Sequence, residues 1–237
     1  MDSPNKKKLL TVNELEQSCV VANNRMNRER AAVGSNGYEV EIGFNPIDFL
    51  LERYQRNGTV RWLDLCCGQG LAMIETALAF LEHNHSTNVD LVGVDLVNMF
   101  ARIPDSIDFV FFENQSLSDW QTMLRYDLIT CVHGLHYIGD KLELCTRAIN
   151  WLAADGMFVA TLDADNLQSV KSQIDFQSLL AESSFDFDAR KHLLSYSKSN
   201  NATTMPFPVE FMGADDQVGP NFSGQNAVDS FYRYHNT

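Results

Sequence analysis

The sequence predicts an α/β domain built on a doubly wound, mostly parallel sheet with an N-terminal helical cap. Three observations carry that prediction. From about residue 58 onward, short apolar runs alternate with amphipathic segments of helical period, the pattern of strands covered by helices on both faces. Several of those runs end on glycine or aspartate, at the strand tips where open parallel sheets bind ligands. The chain has 237 residues, 45% of them apolar and 11% aromatic, enough for one sizeable core with additions.

The elements follow in order. Thr11 is placed to cap a helix whose apolar positions Leu15, Cys19, Ala22 and Met26 recur at steps of four, three and four. The polar, basic run from Asn23 to Arg30 interrupts it, and Gly34-Ser35-Asn36-Gly37 reads as a turn. Asn45-Pro46 opens a second helix through Ile47, Leu50 and Tyr54, closed by Gly58. Residues 61–65 form a first strand, stopped by Cys67-Gly68-Gln69-Gly70. Residues 71–82 form a helix, with Leu71, Ile74, Ala77, Leu78 and Leu81 expected on its buried face. Strands are expected at 90–95, 107–112, 126–132 and 157–162, with a helix burying Leu142, Cys145, Ala148, Ile149 and Leu152 before the last. A helix over 166–180, strands at 191–196 and 209–212, and an irregular tail complete the reading. The boundaries implied are a helical arm or lid over 1–57, a ligand-binding domain over 58–215, and a C-terminal loop segment over 216–237, expected to line the substrate pocket.

Composition excludes several classes of function. Acidic residues outnumber basic ones 31 to 18, a formal charge of −13, which repels phosphate backbones and anionic lipid. No apolar run approaches the roughly 20 residues that a membrane span needs. Lys6-Lys7-Lys8 precedes only Leu9-Leu10 before polar residues resume, so no signal-peptide core is expected. The five cysteines include adjacent Cys66 and Cys67 and lack C-x-x-C spacing, as reduced thiols of a cytoplasmic protein would. No metal site is required, no nucleic acid or membrane partner is expected, and a homodimer is left open.

Three strand ends carry candidate chemistry. Leu63-Asp64-Leu65-Cys66-Cys67-Gly68-Gln69-Gly70 places glycines where backbone must approach a ligand, but it is neither G-x-G-x-x-G nor a P-loop. Val92-Gly93-Val94-Asp95 puts a carboxylate on the next strand tip, suited to accept from the two hydroxyls of a ribose. The run from Tyr126 to Val132 leads into His133-Gly134-Leu135-His136-Tyr137, two histidines past a buried strand, and histidine titrates near neutral pH.

These segments, in this order across residues 60–163, resemble the class I S-adenosylmethionine-dependent methyltransferases, of the small-molecule type found in bacterial specialised metabolism. The resemblance implies a seven-stranded Rossmann-like methyltransferase sheet and S-adenosyl-L-methionine as cofactor. It implies that Asp64, Cys66, Cys67, Gly68 and Gly70 meet the methionyl part of the cofactor and that Asp95, with Leu96 beside it, holds the ribose. Glu113 or Asn114 would read the adenine, and Val132 and His133 would also bind the cofactor. Cys66 stands where the family carries glycine. Tyr38 or Arg30 of the arm would reach the cofactor's carboxylate.

The activity so implied is in-line transfer of a methyl group to a nitrogen, oxygen or carbon atom of a small molecule. His133 and His136 are the candidate general bases, with Tyr137 third and activity rising between roughly pH 6 and 8. A nucleotide-dependent oxidoreductase would show three spaced glycines, which are missing. A non-catalytic cofactor-binding module and methylation of a protein side chain are the alternatives.

Overall fold

Trp62, Leu91, Leu128 and Val159 point to one side of a sheet and Leu63, Val92, Ile129 and Phe158 to the other, and all eight are buried. That two-sided burial is what unbroken apolar strands require. The computed structural model describes residues 8–22, 29–199 and 206–235. Its elements begin with α1 (Val12–Glu16), α2 (Cys19–Ala22), α3 (Tyr38–Ile42) and α4 (Pro46–Asn57). They continue through β1 (Val60–Leu65), α5 (Leu71–Glu82), β2 (Val89–Asp95), β3 (Val110–Asn114) and β4 (Tyr126–Cys131). After a short 3-10 turn, Gly134–Tyr137, come α6 (Lys141–Asn150), β5 (Leu152–Thr161) and β6 (Leu167–Ser169). The remainder is α7 (Phe176–Glu182), β7 (Asp186–Asp188), β8 (Leu193–Ser197), β9 (Val209–Asp215) and β10 (Asp229–Tyr234).

Seven strands make one sheet in the order β3-β2-β1-β4-β5-β8-β7. The first five run parallel, while β8 is antiparallel to both β5 and β7. Strand order reverses at β1, so a crevice opens between the carboxyl ends of β1 and β4, beside β2. The register aligns those ends, with Asp64 opposite both Gly93 and Thr130. A second sheet, β6-β10-β9, lies apart from the first. Leu10 extends its β9 edge by exchanging hydrogen bonds with Ala214 at 2.7 and 2.9 Å, which brings α1 into the fold.

Helix α4 forms where expected. Asn45 Oδ1 accepts from Ile47 N–H at 2.9 Å, Pro46 opens the helix, and Gly58 closes it at φ +69°. Helix α5 has the expected bounds, but its buried face is Ala72, Met73, Thr76, Ala77 and Phe80, and Leu78 faces solvent. Apolar residues surround this helix, so its period was readable and its phase was not. Helix α6 buries the expected positions, although Leu152 begins β5 rather than ending the helix.

Other expectations need correction. Strand β3 sits two to three residues later than expected, which draws Glu113 and Asn114 into its end. The helix expected over 166–180 is instead β6, a turn and α7. Lys171 takes φ +71°, and Asp175 caps a later start by accepting from Ser178 N–H. The strand at 209–212 lengthens to β9 and joins the second sheet, so β7 supplies the seventh strand of the first. The segment 216–237, expected as loop, contains β10. The first helix breaks after Glu16. Leu15 and Val21 are buried while Cys19 is exposed, and Met26 and residues 23–28 of the basic run lie outside the described residues.

Candidate active site

The loop after β1 makes a tight reversal. Cys66, Gly68 and Gly70 take φ of +60°, +60° and +73°, the left-handed region that glycine enters freely and cysteine does not. A side chain at Gly70 would place Cβ 2.1 Å from Phe112 Cζ, so that position is closed to any larger residue. Cys66 tolerates its backbone because its thiol packs against Cys131 and Gly134. The Cys131 thiol first, then burial, hold the Cys66 thiol well above the usual thiol range.

Asp95 ties this loop to β2. Its Oδ2 accepts from Gly68 N–H and its Oδ1 from Val97 N–H, both at 2.9 Å. Asp64, one strand over, is fully buried and holds no place in the cavity wall. Its Oδ1 accepts from Thr130 Oγ1 at 2.6 Å and its Oδ2 from the Tyr38 hydroxyl at 2.8 Å. Thr130 in turn accepts from Trp62 Nε1 at 2.8 Å. Burial pushes the Asp64 carboxyl up to about 7.

A cavity of about 240 Å³ opens at the tips of β1, β2 and β4. Cys66, Gly68, Asp95, Leu96, Val132, His133 and Tyr137, all predicted site residues, line it. Tyr38, Asp64, Cys67, Gly70, Glu113, Asn114 and His136 do not. Tyr38 braces Asp64 instead of reaching into the cavity. Glu113 accepts from Trp120 Nε1 at 2.7 Å, and Asn114 Nδ2 donates to the Asp95 and Leu96 carbonyls, so both support the rim without facing inward. Leu117 and Ser118, just beyond them, form that part of the wall.

Sequence reasoning expected the arm as a lid but named none of its contacts, and it missed Arg147 and Glu41. Leu15, Glu16 and Val21 of the arm roof the cavity, and Glu16 Oε1 accepts from Ser116 Oγ at 2.5 Å, fastening roof to wall. Arg147 of α6 donates to the carbonyls of Leu117, Ser118 and Trp120 and fixes the turn after β3. Glu41 of α3 meets His133. The amphipathic stripe at Leu15 signalled a buried helix, but nothing in the sequence marked Glu41 or Arg147 as site residues.

The two histidines sit side by side. His133 takes φ +57°, and its N–H donates to Thr161 Oγ1 at 2.6 Å. Its Nδ1 is 3.3 Å from His136 Nε2. Its Nε2 is 3.1 Å from Glu41 Oε1, an ion-pair contact rather than an aligned hydrogen bond. His133 holds the Glu41 carboxyl below its usual range, burial opposing and Arg30 assisting. His136 is fully buried, and burial first, then His133, Lys141 and His192, hold it well below the usual imidazole range. Tyr137 donates to Gln225 Oε1 at 2.5 Å, and Phe222 stacks on His192 and meets His136 edge-on. The tail therefore covers the histidines and stays out of the cavity wall. Among the described residues, no group of three metal-ligating side chains is placed to hold an ion, and no helix is long and apolar enough to cross a membrane.

Several solved structures are similar to this chain. The N-methyltransferase NodS from Bradyrhizobium japonicum, in complex with S-adenosyl-L-homocysteine, aligns with a TM-score of 0.43 at 14% identity over 70% of this chain and 94% of its own. Magnesium protoporphyrin IX methyltransferase ChlM from Synechocystis, with S-adenosylmethionine bound, aligns at 0.43 and 13% over 65% and 78%. The plantazolicin methyltransferase BpumL in complex with S-adenosylhomocysteine aligns at 0.40 and 16% over 62% of this chain, which spans about half of BpumL's length. No curated protein sequence matches. The model of one family, described as a methyltransferase domain, matches residues 38–202. That match takes in α3 through β8, well over half of the chain, and so the chain belongs to the methyltransferase-domain family.

Proposed function

We propose that this chain transfers a methyl group from S-adenosylmethionine to a nucleophilic atom of a small molecule. The observation that carries the reading is the convergence of three strand tips on one roofed cavity, with the Asp95 carboxylate in its wall. The residues present fit that cofactor. The Cys66–Gly70 backbone suits its methionyl part, Asp95 its ribose hydroxyls, and the apolar pair Leu96 and Leu117 its adenine. Glu16, Asp95, Asp140 and Glu143 outnumber Arg147 in the wall, a balance that favours a positively charged occupant.

When bound, the cofactor supplies a methyl on a positively charged sulfur that leaves as a neutral thioether. The protein's share is alignment and exclusion of water. Alignment alone contributes on the order of 7–11 kcal/mol to such a step. Leu15 and Val21 shut the cavity from above, which makes α1 and α2 a lid and favours an acceptor small enough to enter beneath it. Where the acceptor atom carries a proton, the His133–His136 pair is the base, worth roughly 10²–10⁴-fold.

Calorimetry with S-adenosylhomocysteine on the full chain tests the reading. Binding is expected, and Asp95→Ala should weaken it by about 10- to 100-fold through loss of charge-assisted hydrogen bonds of roughly 1.5–3 kcal/mol. A panel of small acceptors with labelled methyl donor then identifies the product. Failure of the wild-type protein to bind either form of the cofactor would overturn the proposal.

A further inference from the structure

Among the described residues, four carboxylates line the cavity, and three of them are spent on the protein. Asp95 accepts from the Gly68 and Val97 amides, both at 2.9 Å. Asp140 Oδ1 accepts from the Glu143 amide and the Tyr232 hydroxyl, both at 3.1 Å, and Glu16 accepts from Ser116 Oγ. Glu143 is the fourth. Its carboxylate forms no hydrogen bond and no ion pair among the described residues. Burial first, then the neighbouring Asp140, raise its carboxyl above the usual range, with Arg147 opposing. An acceptor so placed answers to a donor that the protein does not supply.

The fold fixes which end of the cavity Glu143 serves. It lies in the first turn of α6, and Arg147 follows one turn later on the same side of the helix. Arg147 Nη1 donates to the Leu117 carbonyl at 2.6 Å and the Ser118 carbonyl at 3.2 Å, so this side of α6 lies against the turn after β3. Asn114 ties the end of β3 to the tip of β2 through the Asp95 and Leu96 carbonyls. A nucleoside with its ribose at Asp95 then extends its base past Leu96 and Leu117 toward α6. The acid that the sequence offered for that base is turned away, because Glu113 accepts from Trp120 Nε1 at 2.7 Å. Ser118 Oγ lies 2.6 Å from Ser116 Oγ. Glu143 is the unspent acceptor at this end of the wall.

The geometry points to Glu143 as the residue that selects adenine in the cofactor, its carboxylate accepting from the exocyclic amine of the base. The inference rests on the methyl-transfer reading, since it needs an adenosyl group in the cavity. A carboxylate only accepts and the adenine amine offers two N–H groups, so the match runs one way. Hypoxanthine carries a keto oxygen at the same ring position. That oxygen would face a charged acceptor, and a site built for a hydrogen bond rejects an analogue that leaves its polar groups unmatched. The same arrangement gives Arg147 a part. Its guanidinium donates to the Leu117, Ser118 and Trp120 carbonyls, which holds the turn in place and leaves Glu143, one helical turn away, unpaired.

Calorimetry on the full chain compares S-adenosylhomocysteine with S-inosylhomocysteine, in which the amine is replaced by a keto oxygen. The wild type is expected to bind the adenosyl form about 10- to 100-fold more tightly. Glu143→Gln presents either an oxygen or an amide N–H to the base and should bring the two affinities within about threefold. Glu143→Ala should also erase the preference, with adenosyl binding weakened by about tenfold. The Glu143 side chain is exposed and braces no other residue, so both variants should unfold in urea near the wild-type midpoint. The wild-type ratio needs no variant at all. Loss of wall charge by itself would shift both ligands together, so a ratio unchanged in Glu143→Gln overturns the proposal. Equal binding of the two forms by the wild type overturns it as well and leaves the methyl-transfer reading standing. Binding of neither form, nor of S-adenosylmethionine, sinks that reading and this inference with it.

Discussion

Asp64 shows how much a single residue's role depends on its neighbours. Two hydroxyls donate to its carboxylate, from Tyr38 and Thr130, and no cation compensates its burial in those contacts. With its carboxyl raised from the ordinary 3.8 to about 7, the folded state holds a proton that the unfolded state has released. Folding stability from this group therefore falls as pH rises through about 4 to 7. Tyr38→Phe removes one of the two donors to the charged form and raises that carboxyl further. The variant should lose about 1–3 kcal/mol, and more at pH 8 than at pH 5. Urea unfolding at the two pH values measures this, and an equal loss at both would show that Tyr38 does not support the charge.

Among the elements, α6 does more than cover the sheet. Its first residue, Lys141, is fully buried, and its Nζ donates to the Ile138 carbonyl, the Val228 carbonyl and Ser230 Oγ, each at 2.8 Å. One ammonium group thus joins the turn after β4, the start of α6 and the start of β10. Burial brings it down to about 7. Lys141→Met removes the ammonium donor shared by three acceptors, and a loss of about 3 kcal/mol or more is expected. Hydrogen exchange should then speed first in β9 and β10 and leave β1, β2 and β4 protected. Uniform loss of protection would assign the lysine to the whole core. Helix α5 and strand β3 make the complementary point. Their existence followed from apolar pattern, but the α5 face and the β3 register answer to Phe112 packing over Gly70 and to pairing with β2.

At the scale of the molecule, the two sheets play different parts around the cavity. The larger sheet supplies its floor through the tips of β1, β2 and β4, and the smaller one anchors its roof. Leu10 pairs with Ala214 of β9, and α1 follows directly, carrying Leu15 over the opening. Leu15 is 1% exposed, so Leu15→Ala should cost about 2–4 kcal/mol from lost burial and a residual void. It should also weaken S-adenosylhomocysteine binding, because the roof closes less completely. Unchanged affinity in a destabilised variant would confine α1 to a structural part.

What the amino-acid order determined by itself is the strand-tip side of the cavity. Alternating apolar runs, an Asn-Pro helix start, glycines after the first strand and an acid on the second are local signals, and each follows from short-range sterics or hydrogen bonding. They located Cys66, Gly68, Asp95, Leu96, Val132 and His133 in one cavity wall. The tertiary structure alone decided the other half: the turning of Tyr38 onto Asp64, the meeting of Glu41 with His133, the Leu15 roof and the β10 strand. Each of these joins residues far apart in sequence, and β10 pairs with β6 some sixty positions earlier. Contacts of that separation leave no period and no motif, because they depend on which surfaces meet once the chain has collapsed.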